Sequence, residues 1–114
     1  CSIIVLYDGT RAALCHTWNC CNPRKYLDIV IPKMKRPIYA IVIGYNTQPD
    51  KNNEDDIPNT ISNLRHACKD YKVILFRAYT LPWIAYKDVL VIPSTGEVRI
   101  YVKTNKPIVT FFPR

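Results

Sequence analysis

Two residues near the start of the chain, Cys1 and His16, have the side chains of a thiol nucleophile and a proton acceptor. Between them lies the dipeptide Asp8-Gly9, which is a strong signal for a tight hairpin turn. If Asp8 and Gly9 are the two turn residues, Cys1 faces His16 directly on the neighbouring strand. Directly opposed Cβ atoms stand ~4.5–5.5 Å apart, close enough for a hydrogen bond between thiol and imidazole. The imidazole would then draw the thiol toward the thiolate, which is the nucleophilic form.

The same stretch holds four residues whose side chains can bind zinc, Cys15, His16, Cys20 and Cys21. Structural zinc sites usually combine a Cys-x₂₋₄-Cys pair with a distant second pair. Because Cys15 and His16 are adjacent in a predicted strand, they point to opposite faces and are poorly placed to share an ion. We therefore predict no metal and no other cofactor. A structural alternative, in which Cys1 and His16 are ordinary core residues, stays open from the sequence.

The elements that would position these residues follow from the apolar pattern and the turn signals. Strands are predicted at 2–7, 11–17, 26–32, 37–45, 72–80, 87–92 and 98–103, with a last short strand at 108–112. Segments 18–25, 46–56 and 81–86 are predicted to be loops, turns or edge segments. The continuously apolar segment 37–45 should be the central strand, covered on both faces.

One amphipathic helix is predicted at 57–71, because apolar residues recur there at steps of three and four: Ile57, Ile61, Leu64, Cys68 and Tyr71. One helix on a mostly antiparallel sheet is an α+β fold, and we expect a single domain over 1–114. The second face of that sheet then needs a cover. A sheet closed on itself, or an element missing from this chain, would provide it.

Composition narrows the class of protein further. The chain has 114 residues, of which 48% are hydrophobic, and a formal net charge of +7. It contains no apolar run near the roughly 18 residues that a membrane span needs. Five cysteines in no secreted framework indicate reduced thiols, and hence a reducing, cytoplasmic compartment. Because the chain does not begin with Met, we expect a fragment or a processed product.

The positive charge predicts an acidic partner, most simply a protein substrate with an acidic surface. The basic residues expected to dock it are Arg24, Lys25, Lys33, Lys35 and Arg36. Trp18 and Trp83 could line the same groove. Eight tyrosines in a basic chain leave nucleic acid as an alternative partner, although no nucleic-acid motif is present. The oligomeric state stays open.

A Cys that opens an apolar strand, a short glycine turn and a strand ending in His16-Thr17 resembles the catalytic hairpin of Cys–His amide hydrolases. These include the bacterial chemoreceptor glutamine deamidases, the deamidase domains of cytotoxic-necrotizing-factor-type toxins, and the protein N-terminal asparagine amidohydrolases. The toxin-type domains also carry Thr directly after the His. The resemblance to the asparagine amidohydrolases extends to a Cys close before the His, a strand ending in Gly44-Tyr45, and a closing hairpin at 87–102.

The resemblance implies a cysteine-dependent protein amidohydrolase, an effector-like or toxin-like deamidase that converts a glutamine carboxamide by way of a thioester. Cys1 and His16 would be catalytic, and Thr17 would be a supporting residue, although it points away from His16 on the strand. In these families residues just before the Cys complete the site, so here the third group is either absent or supplied from elsewhere. The α-amine of Cys1 is one source. Asparagine is the second substrate expected. The alternatives are a cysteine peptidase and a non-catalytic basic module that binds RNA or an acidic protein.

Overall fold

The computed structural model describes residues 2–17, 23–45, 56–81, 87–102 and 106–113. The elements in chain order are β1 (Ser2–Tyr7), β2 (Ala12–Thr17), α1 (Pro23–Val30), a 3₁₀ turn (Ile31–Lys33), β3 (Tyr39–Tyr45), α2 (Asp56–Asp70), β4 (Ile74–Leu81), β5 (Lys87–Ile92), β6 (Glu97–Val102) and β7 (Ile108–Phe111). This is an α+β fold, as the sequence predicts. Within the described residues, neither helix is long and apolar enough to cross a membrane.

The strands form two sheets. The main sheet has the order β2-β1-β3-β4, and the second sheet has the order β5-β6-β7. Every pairing is antiparallel except that of β3 with β4, which are parallel neighbours joined by a crossover that contains α2. The predicted central strand is confirmed, because β3 lies inside the main sheet and residues 40–43 are buried.

Alternation along the strands of the main sheet divides the buried residues into two cores. On one face, Ile4, Leu6, Ala40 and Val42 pack against both helices, through Leu27 of α1 and Leu64, Ala67 and Cys68 of α2. On the other face, Ile3, Val5, Tyr7, Ile41 and Ile43 pack against Val98, Ile100 and Phe112. The molecule therefore has three layers, namely helices, main sheet and second sheet. The chain supplies its own cover for the second face, through its last three strands, rather than by closing the sheet or leaving the face for a missing element.

The strand predicted at 26–32 is wrong. The segment forms α1 and the 3₁₀ turn, so the predicted loop at 18–25 also gives way to helix from Pro23 onward. Tyr26, Leu27, Val30, Ile31 and Met34 pack on the helical core, which is the stripe that a helix presents. The β-branched Ile29, which favoured a strand, is 63% exposed on the other side of α1. Tertiary packing thus overrides the local β propensity.

The predicted helix 57–71 is observed at Asp56–Asp70, and its stripe is buried where side chains are described. Its C-terminus is closed by a Schellman-type arrangement, in which Val73 N donates to Cys68 O at 2.8 Å. Lys72 occupies the left-handed position of that motif, with φ of 57°. The Arg36 guanidinium donates to the carbonyls of Tyr71 and Lys72 at 2.8 and 2.7 Å, and so satisfies the last carbonyls of the helix end.

Candidate active site

The first hairpin has a different register from the one that the sequence predicts. Asp8 N donates to Arg11 O at 3.1 Å, so Gly9 and Thr10 form the tip in place of Asp8 and Gly9. Gly9 has φ of +98°, which suits glycine at the first tip position. As a result, His16 lies opposite Ile3, and the predicted pairing of Cys1 with His16 is wrong.

The Asp8 side chain explains this register. Its Oδ1 atom accepts hydrogen bonds from Thr10 N at 2.9 Å and Arg11 N at 2.6 Å, which holds Asp8 just before the tip. Its Oδ2 atom accepts from Lys35 N at 2.9 Å and so ties the hairpin to the segment after α1. Partial burial raises the pKa of Asp8, but the hydrogen bonds from Lys35, Arg11 and Thr10 outweigh it and lower the pKa to about 2. The sequence signal for this turn is Asp8 itself, because an Asp side chain commonly accepts a hydrogen bond from the backbone two residues on.

His16 is exposed on β2, an edge strand of the main sheet. Because Ile3 belongs to the core that faces the second sheet, its cross-strand neighbour His16 lies on that same face. Leu14, two residues earlier, shares this face and is 42% exposed. β2 also contacts β5, the nearest strand of the second sheet. His16 is therefore accessible from solvent on the face of β2 that is directed toward the second sheet.

Cys15 lies on the opposite face of β2. It pairs with Ile4 and packs against the helical core, where burial and then the nearby Cys15 raise the pKa of Tyr26 to about 12. The Tyr26 hydroxyl is buried and has no hydrogen-bond partner among the described residues. Cys15 and His16 thus point to opposite sides of the sheet, as predicted. Across the described residues, no three His, Cys, Asp or Glu side chains gather as metal ligands would.

The described cysteines are reduced, and they differ in burial. Cys15 is half-buried, whereas Cys68 on α2 is fully enclosed. Burial raises the pKa of the Cys68 thiol to about 11. Cys68 is therefore held in the unreactive thiol form.

Two of the predicted docking residues have structural partners. Arg24 forms an ion pair with Asp70 at 2.7 Å, which joins α1 to the end of α2. Arg36 binds the carbonyls at the end of α2, as described above. Both guanidinium groups therefore make contacts that hold the helices in place. Lys25, on α1, is exposed.

Lys33 and Lys35 are exposed and lie at the turn end of the first hairpin. Arg11 Nη1 donates to Lys33 O at 2.9 Å, and Lys35 N donates to Asp8. His16 is four residues along β2 from the turn end, a distance of roughly 14 Å at ~3.4 Å per residue. The structure therefore does not bring these lysines next to His16, and α1 with Arg24 and Lys25 covers the other face of the sheet.

Five of the candidate residues lie outside the described residues, namely Cys1, Trp18, Cys20, Cys21 and Trp83. Thr17 is described only in its backbone, where it pairs with Ser2. His66, the second histidine of the chain, is exposed on α2, on the helical side of the molecule.

Tyr7 is a further residue near the hairpin whose importance sequence reasoning missed. Its ring is fully buried and stacks on Phe112 with centroids 5.0 Å apart. Its hydroxyl donates to Gly9 O at 3.0 Å and lies 3.1 Å from Pro93 O. Tyr7 therefore connects the tip of the first hairpin to the turn between β5 and β6, and so fastens the second sheet to the main sheet.

No protein-family model and no curated protein matches the chain.

Proposed function

We propose that the protein is a cysteine-dependent amidohydrolase that hydrolyses side-chain carboxamides of protein substrates, with Cys1 as nucleophile and His16 as proton carrier. The observation that carries the proposal is the exposure of His16 at the edge of the main sheet. A catalytic histidine must reach the substrate, and the exposed His16 meets that requirement. The same exposure disagrees with the alternative in which His16 is a core residue.

Ile3 is the residue directly opposite His16, and Cys1 lies outside the described residues. The proposal therefore takes Cys1 as the nucleophile from its residue type and its place in the sequence, and it takes the accessibility of His16 from the structure.

In the first half of the reaction the Cys1 thiolate attacks the carboxamide carbon, and backbone N–H groups stabilise the oxyanion. The C–N bond breaks, and ammonia leaves with a proton from His16. In the second half water attacks the thioester while His16 takes a proton. The C–S bond then breaks, which releases the carboxylic acid and restores the thiolate.

Glutamine in a protein is the substrate we propose, with asparagine as the second candidate. The excess of positive charge favours a substrate with an acidic surface around the amide. A thiol nucleophile also requires a reducing compartment, and we propose the cytoplasm. The reduced state of the described cysteines is compatible with this.

The test is release of ammonia from glutamine-containing proteins, combined with mass spectrometry of the product. Cys1→Ser and His16→Ala should abolish ammonia release, while His66→Ala serves as the matched control because it removes an exposed histidine on α2. Equal activity of His16→Ala and the unmodified protein would refute the assignment. A product broken at a backbone bond, rather than an amide converted to an acid, would indicate a cysteine peptidase.

A second candidate is a non-catalytic basic module that binds RNA or an acidic protein. The exposed side chains of Lys25, Lys33 and Lys35 favour it, as does the net charge of +7. Binding of this kind weakens steeply with added salt and survives His16→Ala. Salt-dependent RNA binding together with an absence of ammonia release would support this candidate over the enzyme.

A further inference from the structure

The outer face of the second sheet carries exposed apolar side chains. Its strands alternate, so that Val89, Val91, Val98 and Ile100 face the core. The residues between them form three cross-strand rows on the outer face, Asp88–Tyr101, Leu90–Arg99–Val109 and Ile92–Glu97–Phe111. We call the six residues of the last two rows the outer patch. Leu90, Val109 and Phe111 are 45%, 51% and 52% exposed, which is unusual for a sheet face in water.

The outer patch is electrically neutral. Its two charges, Arg99 and Glu97, form an ion pair along β6. The Arg99 guanidinium also donates a hydrogen bond to the Tyr101 hydroxyl oxygen. The Arg99 side chain is 43% exposed and the Glu97 side chain is 15% exposed, so the guanidinium N–H groups are the more accessible part of this ion pair. In a chain with a net charge of +7, two copies repel each other over most approaches but not through this patch.

The two rows of the outer patch are complementary to each other. Consider a two-fold axis that lies between two facing sheets, runs perpendicular to the strands and crosses β6 over Val98. This axis exchanges the two rows between the copies, and it places Arg99 over Glu97 of the second copy. The same operation places Leu90 over Ile92 and Val109 over Phe111. Every apolar side chain then meets an apolar one, and each charge meets its opposite. An axis parallel to the strands would instead place Arg99 over Arg99.

We propose that the outer patch is the interface of a two-fold dimer of this chain, in which the second sheets of two copies pack face to face. Packed sheets lie ~10 Å apart, which suits Leu, Val, Ile and Phe side chains. The interface is isologous, because one patch serves both copies. It lies on the far side of the second sheet from His16, so it leaves the proposed catalytic edge open.

Sedimentation equilibrium across a roughly hundredfold range of concentration tests the dimer. The unmodified protein should pass from monomer to dimer, and Phe111→Asp should raise the dissociation constant about tenfold or more. Ile29→Asp is the matched control, because Ile29 is an exposed apolar residue on α1, 63% exposed, and should leave the dimer intact. Circular dichroism verifies that each variant is folded. A monomer at every concentration, or a Phe111→Asp dimer of unchanged strength, would overturn the proposal.

Charge exchange tests the register. Glu97→Arg and Arg99→Glu should each prevent self-association, because each variant places like charges on both rows. A mixture of the two variants should form a heterodimer, because each row of one then meets the opposite charge on the other. Failure of the folded variants to associate on mixing contradicts the two-fold arrangement. Binding of a monomeric protein to vesicles with anionic lipid would assign the outer patch to a membrane surface instead.

Discussion

Replacing Asp8 by asparagine should weaken the first hairpin and remove part of the acid sensitivity of the fold. The Asp8 carboxylate accepts four hydrogen bonds, from Thr10 N, Thr10 Oγ1, Arg11 N and Lys35 N, at 2.9, 3.1, 2.6 and 2.9 Å. Asparagine keeps one oxygen for the bonds within the turn. Its amide nitrogen cannot accept from Lys35 N, so that bond is lost.

The size of the effect follows from the pKa of Asp8, which is lowered from its ordinary 3.8 to about 2. A shift of this size corresponds to at most roughly 2.5 kcal/mol of differential stabilisation. The carboxylate is partly open to solvent, and screening reduces the expected value to about 1 kcal/mol. Because the folded-state pKa is the lower one, the stabilisation is complete above pH 3.8 and is lost as the pH falls through that value toward 2.

Urea unfolding followed by circular dichroism at about pH 6 and about pH 2 measures this contribution. The difference in unfolding free energy between the unmodified protein and Asp8→Asn should shrink by about 1 kcal/mol at the lower pH. Thr10→Ala is the control, because it leaves the carboxylate and its three backbone donors in place. If the difference between the unmodified protein and Asp8→Asn is the same at both pH values, the charged form of Asp8 does not stabilise the hairpin.

Three further predictions concern the backbone and the buried thiol. Gly96→Ala should lower the free energy of unfolding by about 2 kcal/mol, because Gly96 has φ of +76° and an added Cβ would stand 3.3 Å from the buried Tyr7 ring. Gly9→Ala should lower it by only about 1 kcal/mol, because Gly9 has φ of +98° but faces open space. Equal effects of the two variants in urea unfolding would contradict this. Lys72→Gly should stabilise by up to about 1 kcal/mol by relieving the left-handed φ of 57°, and a lowered thermal midpoint would argue against it. Cys68, whose pKa burial raises to about 11, should react with iodoacetamide only after unfolding, and rapid labelling of the native protein would show that its enclosure is incomplete.

Periodicity was sufficient for the long, regular elements. The stripe of α2 and the apolar run of β3 are unambiguous, and both are observed close to their predicted bounds. It failed at α1, where the run Ile29-Val30-Ile31 has the composition of a strand. The distinguishing signal is the spacing of Tyr26, Leu27 and Val30, together with Pro23 at the first helical position. Eight residues hold too few turns for that spacing to outweigh β propensity.

The second sheet could be predicted as strands but not as a layer. Alternation along β6 indicates that Val98 and Ile100 face a core. The alternation does not indicate which core these residues face. A strand that joins the main sheet and a strand in a separate, packed sheet show the same period-two pattern. The decision comes from contacts distant in sequence, such as Tyr7 on Phe112 and the Tyr7 hydroxyl against Pro93 O.

The register of the first hairpin separates two kinds of information. Moving the tip from Asp8-Gly9 to Gly9-Thr10 shifts the pairing by two residues, so β2 keeps its faces relative to β1. A shift of one residue would have exchanged the faces of Cys15 and His16. Because β1 is buried on both faces, its apolar pattern does not fix the register, and the hydrogen bonds of Asp8 decide it. The cross-strand partner of His16 therefore depends on one carboxylate at the turn.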